Sequence, residues 1–107
     1  MTTTLPAPAQ ALIDAANRGD LEGFLDAFTD HGVVDDWGRE FRGRSAIRGW
    51  SDGEFIGVRV SLEVTGVTGG GDEYTVTAQV GGDGFNGPSH FSFRISGSHV
   101  TRMTIRA

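Results

Sequence analysis

The residues best placed to do chemistry are two adjacent carboxylates, Asp35 and Asp36, in the run HGVVDDWG. The β-branched pair Val33 and Val34 leads into them, so the aspartates sit on a strand, where successive side chains point to opposite faces. Val34 and Asp36 then share one face, and Val33, Asp35 and Trp37 the other. Only one aspartate of the pair can point into an interior. A carboxylate on an apolar wall is desolvated, which raises its pKa and suits it to take a proton near neutral pH. The same pair would also serve as solvated residues ahead of a tight turn, a common use of aspartate.

The remaining inventory narrows the chemistry further. The chain has no Cys and no Lys, and all nine basic residues are Arg. Thiolate nucleophiles, disulfides, thiolate metal sites, Schiff bases and a P-loop lysine are thereby excluded. Of the three histidines, His90 lies on the strand face opposite Ser89, Phe91 and Phe93 and points away from an interior, unless a bulge reverses the parity. His31 follows a helix, where a partly charged imidazole is favourable, and His99 reads as a turn residue. Their spacing is too wide for a metal motif. Arg102 and Arg106 share a face with Thr104 and would bind an anion if that face is concave, or stand as exposed arginines if it is not. A formal net charge of −5 with scattered arginines excludes a phosphate-backbone partner.

These residues need elements to hold them. Pro6 and Pro8 fit the first turn of a helix running to about Asn17, with Leu12, Ile13 and Ala16 on its buried side. Gly19 ends that helix and Asp20 caps the next, whose apolar stripe is Leu21, Phe24, Leu25 and Phe28. Strands Val33 to Trp37 and Arg39 to Arg42 form a hairpin around Gly38. Ser45 caps a third helix through Ala46, Ile47 and Trp50, kept short by Gly49 and Gly53.

From Gly57 the pattern becomes alternating. Val58, Val60, Leu62 and Val64 mark one strand, and Tyr74, Val76, Ala78 and Val80 a second. Phe91, Phe93 and Ile95 mark a third, and Val100 to Arg106 a fourth, with Met103 and Ile105 on the side opposite Val100 and Thr104. Gly69, Gly70 and Gly71 form a turn between strands and not a phosphate cradle. Helices followed by strands indicate an α+β fold with a mostly antiparallel sheet. At 107 residues the chain is one domain with one core, residues 1–5 forming a flexible tail. No apolar run approaches the roughly 20 residues that cross a bilayer. MTTTLPAPAQ lacks the basic and apolar regions of a signal peptide, so a cytoplasmic location is expected.

The order NRGDLEGFLDAF, DHGVVDDWG and FRGRSAIRGW, with PSHFSFRISG near the C-terminus, resembles the nuclear transport factor 2-like superfamily, in particular its SnoaL-like and ketosteroid-isomerase-like members. The resemblance implies a strongly curved sheet whose concave side is covered by three N-terminal helices, closing a cone around a ligand pocket. It places Asp36 at the position of the isomerase's catalytic base. The isomerase's two oxyanion donors, a Tyr on the first helix and a protonated Asp on a late strand, fall on Leu12 and Ser89. The expected pocket lining is Leu12, Trp50, Phe55, Ser89, Phe91 and Phe93, with Trp37 a further aromatic that could join it; core packing is the alternative use of these aromatics.

The superfamily holds isomerases, cyclases, dehydratases, epoxide hydrolases and proteins without chemistry, so fold alone transfers no reaction. The leading expectation is acid–base chemistry by Asp36 on a hydrophobic cyclic small molecule. The alternative is a noncatalytic ligand-binding or accessory dimerisation domain. Neither needs a cofactor or metal, and neither involves nucleic acid or a membrane. A homodimer through the outer face of the sheet is expected, because Met103 and Ile105 are assigned to that face.

Overall fold

A computed structural model describes residues 4–107. Helix α1 (Ala7–Asn17) starts at Pro6 and Pro8 and buries Leu12, Ile13 and Ala16, as its periodicity requires. The Asp20 side chain accepts the Gly23 N–H and caps α2 (Leu21–Asp26), satisfying one of that helix's orphan donors. Leu5 is 9% exposed and packs on the core, so the expected flexible tail fails at that residue. Residues 1–3 of that tail lie outside the described residues.

The chain then enters a six-stranded curved sheet of order β2-β1-β6-β5-β4-β3. Its strands are β1 (Phe28–Asp36), β2 (Arg39–Arg42), β3 (Ser61–Gly70), β4 (Glu73–Gly81), β5 (Gly87–Ser96) and β6 (His99–Arg106). All neighbours are antiparallel except β1 and β6, which run parallel. Phe28 is therefore the start of β1 and not the end of the helical stripe, because it pairs with Val100 across the sheet. His31 consequently lies exposed within the strand and not at a helix end.

Helix α3 (Arg44–Glu54) is longer than its glycines suggest. A Cβ at Gly49 or Gly53 would meet nothing within 4 Å, so these glycines lower helix propensity without serving a close contact. Its N-cap is Gly43, with φ 84°, and Ser45 makes no cap. A 3-10 turn over Ile56–Val58, ending at Arg59 with φ 54°, replaces the expected start of a strand at Val58.

Helix α1 packs over β3, β5 and β6, and α3 over β1 and β2. The core between helices and sheet is built on Phe24, Phe28, Phe93, Leu12, Ile47 and Met103, all fully buried. Met103 and Ile105 thus face inward, against the expectation that they form an outer apolar patch. Arg94 pairs with Arg102 and Ile95 with Val100, leaving Thr101 as an extra residue on β6. That bulge puts Val100, Met103 and Ile105 on one face. The outer face carries Thr75, Thr77, His90, Ser92, Thr104 and the arginines instead.

Candidate active site

A cavity of about 350 Å³ opens at the end of the sheet where β1 and β6 finish and β5 begins. That size lies within the range of roughly 300–1,000 Å³ typical of small-molecule sites. Val60, Val80 and Ile105 form its aliphatic wall, and Trp50, Phe55 and Phe91 its aromatic one. Trp50 and Phe55 stack with centroids 4.9 Å apart, and Phe55 in turn touches Phe24 at 5.5 Å. The aromatic wall is therefore continuous with the core and held rigidly.

Asp36 enters this cavity from the last position of β1. Its Oδ2 accepts the Trp50 indole N–H at 3.1 Å and an Arg39 N–H at 2.6 Å. Its Oδ1 accepts no hydrogen bond among the described residues and remains available to a ligand. The carboxylate is thus not alone on an apolar wall, as the sequence suggested, but is oriented by an indole and paired with a cation. Arg39 also bonds Glu54 at 2.7 Å and lies 5.6 Å from the centre of the Phe41 ring. Hydrogen bonding from Arg39 holds Glu54 below the usual carboxylate range, while Glu54 and then Asp36 hold the guanidinium firmly protonated.

Asp35 points the other way, as alternation requires. It is 7% exposed and accepts from the Gly38 N–H at 2.8 Å, from Arg102 at 2.8 Å and from Arg106 at 3.1 Å. The hydrogen bond from Arg106 is the largest influence holding its carboxyl below the ordinary value. The face shared by Arg102, Thr104 and Arg106 is accordingly the outer one, and both arginines are occupied by Asp35.

Five of the expected site residues, Asp36, Trp50, Phe55, Ser89 and Phe91, meet in the cavity. Leu12 and Phe93 do not. Both are fully buried in the core, Phe93 because it lies two residues further along β5 than Phe91, where α1 closes over the sheet. The polar and aromatic lining residues outside the expected set are led by Glu54 and Phe85, while Trp37, offered by the sequence as a further pocket aromatic, stands at the cavity's edge. Glu54 stands four positions after Trp50, so the i, i+4 rule signals it once α3 is allowed its full length. Phe85 is a lone aromatic in the glycine-rich run GGDGFNG, and is 58% exposed at the cavity's edge. Trp37 is 60% exposed and has φ 55°, and the turn it makes carries it from Asp35's face to the cavity rim. No group of three or more His, Asp or Glu among the described residues is arranged to hold a metal. No helix among them is long and apolar enough to cross a membrane.

A curved, mostly antiparallel sheet, helices over its concave face and a pocket at one end define the nuclear transport factor 2-like class. Within that class the chain belongs to the SnoaL-like domain family, whose model matches residues 9–106. Among solved structures it is similar to a candidate polyketide cyclase from Sinorhizobium meliloti, with 26% identity over 95% of both chains and a TM-score of 0.83. The Delta 5-3-ketosteroid isomerase of a Mycobacterium species shares the fold at 19% identity, over 94% of this chain and 90% of that one, with a TM-score of 0.79. A computationally designed 17-OHP binder does so at 20% identity, over 98% and 92%, with a TM-score of 0.81. A search among curated proteins finds no match.

Proposed function

We propose that this protein binds a hydrophobic cyclic small molecule in the cavity and moves a proton on it, in a reaction of the isomerase or cyclase type, in the cytoplasm. The observation that supports the reading is that Asp36 lines the cavity with no hydrogen bond to Oδ1 among the described residues, while Oδ2 is fixed by Trp50 and Arg39. A C–H bond next to a substrate carbonyl would lose its proton to Oδ1. The electron pair would move onto the carbonyl oxygen, where the Ser89 hydroxyl, which also lines the cavity, would be the neutral donor. The proton would return from Oδ1 to another carbon of a conjugated enolate in an isomerisation; in a cyclisation the enolate carbon would attack a second carbonyl, whose oxygen would take the proton from Oδ1 as its π bond opens. The polyketide cyclase likeness favours such substrates.

Asp36→Asn keeps the shape and cannot take the proton, so turnover of the true substrate at saturation should fall by about 10²–10⁴ while folding holds. Unchanged turnover would end the catalytic reading. A noncatalytic binding domain is the second reading, favoured by the Arg39 ion pair, which already engages one oxygen of Asp36, and by the burial of Leu12 where an isomerase carries a donor. Homodimerisation through the outer face of the sheet is the remaining part of the proposal, and its contacts would be polar. Sedimentation should then give twice the chain mass of 11.4 kDa at micromolar concentration, and a species at the chain mass alone would refute it.

A further inference from the structure

The charged side chains that line the cavity, Asp36 and Glu54, are both carboxylates, and no basic residue reaches its lining. Arg39 lies behind them and bonds both, which neutralises one of the two charges and leaves one negative charge on the site. Asp36 lines the cavity and its Oδ1 has no hydrogen-bond partner among the described residues. Around this charge the cavity presents the faces and edges of Trp50, Trp37 and Phe85, with two further phenylalanines deeper in. A sheltered carboxylate such as Asp36, 16% exposed against 47% for Glu54, and aromatic π-faces attract the same kind of group, a cation, and repel an anion.

The exposed aromatics point the same way. Trp37 and Gly38 occupy the two central positions of the β1–β2 turn, with φ 55° and 90°, the positive-φ pattern of a type I′ turn that favours Asn, Asp or Gly. A tryptophan there is strained, and at 60% exposure its packing does not account for it. A ligand held against its ring would.

We infer that the ligand carries a positive charge: an organic ammonium on an apolar, ring-sized body, its cationic head against Asp36, with the Glu54 charge behind it already bonded through both oxygens to Arg39, and its body between Trp50 and the rim aromatics. The inference rests on the proposed pocket function and specifies the charge of what that pocket takes. An anionic or phosphorylated ligand is excluded by the same charges. A ring compound bearing an amine next to its carbonyl chain would place the ammonium and the reacting C–H at one wall.

The test uses three probes that share one body, 2-naphthylmethylammonium, 2-naphthalenemethanol and 2-naphthoate, titrated calorimetrically into the intact protein at neutral pH. The ammonium should bind about tenfold or more tighter than the alcohol, and the naphthoate should be weakest. Glu54→Gln should cut the ammonium's advantage to about threefold while leaving alcohol affinity unchanged, and raised salt should erode the same advantage. Trp37→Ala should weaken ammonium and alcohol alike, since both lean on the ring. If the alcohol binds as tightly as the ammonium, the charge assignment is wrong and the pocket reading survives. If naphthoate binds best, it is wrong in sign. If none of the three binds, the assignment and the pocket reading fall together.

Discussion

Asp35 and Asp36 are neighbours of the same residue type on the same strand, each bonded to arginine, and the fold puts them to opposite uses. Asp35, on the outer face, has both oxygens engaged: a backbone N–H from Gly38 and the guanidinium groups of Arg102 and Arg106 surround it. Asp36, on the inner face, lines the cavity with one oxygen engaged and the other without a hydrogen bond among the described residues. A saturated carboxylate ties three segments of backbone together and has nothing left for a ligand. A half-saturated one is oriented without being used up. The difference between the two acids therefore lies in the number of free lone pairs and not in residue type alone.

The inner face should fail hardest when its floor is removed. Phe24 contacts Phe28 and Phe55 with centroids 5.4 and 5.5 Å away, and Phe55 stacks on Trp50. Phe24→Ala should cost roughly 3–5 kcal/mol in denaturant unfolding. It should also loosen Trp50 and with it the orientation of Asp36, so ligand affinity should drop as stability does. A loss well under that range would mean α2 is peripheral to the core.

The outer face should fail more gently and without touching the site. Asp35→Asn should lose roughly 1–2 kcal/mol, because charged hydrogen bonds go while the partly exposed arginines regain water. Ligand affinity should not change. Acid should reach the same end in the unaltered protein. The Asp35 carboxyl is held below its ordinary value of 3.8, chiefly by Arg106, so its stabilisation is complete above that pH and is lost as pH falls through the lowered folded value. Stability curves of the two proteins should therefore converge below pH 3.8. Curves that stay parallel down to the acid limit would show that Asp35 contributes no linkage.

Much of this division was legible in the chain. Alternation from Val33 onward sends Asp36 inward and Asp35 outward, since a strand has period two whatever it pairs with. The pocket members Trp50, Phe55, Ser89 and Phe91 came from the family resemblance together with apolar patterning. What local pattern could not show is what depends on distant partners. Phe28 fits a helical stripe at i+7, but its pairing with Val100 makes it strand, and periodicity carries no trace of a partner 72 residues away (100 − 28). The bulge at Thr101 reversed the assignment of Met103 and Ile105, because one extra residue inverts every side chain on one side of it. Arg39, which unites Asp36 with Glu54, sits across a two-residue turn and one helix end, a meeting that only the folded hairpin creates.

The smallest effect is expected at Trp37, where the two faces of the hairpin meet, and there the sign is the point. Its φ of 55° belongs to the left-handed region, which a bulky side chain occupies at a cost of roughly 1 kcal/mol and asparagine occupies readily. Trp37→Asn should therefore raise stability by about 0.5–1 kcal/mol, read as a shifted unfolding midpoint at unchanged m-value. The Trp37 N–H, which donates to the Ile105 carbonyl at 3.3 Å, is kept by the substitution. Affinity for ring-bearing ligands should fall at the same time, because the rim loses its aromatic face. A gain in stability with a loss in binding would mark Trp37 as strain kept for the ligand, and place it with Asp36 among the residues the fold holds in readiness. A loss of stability would place it with Asp35, as part of what holds the hairpin together.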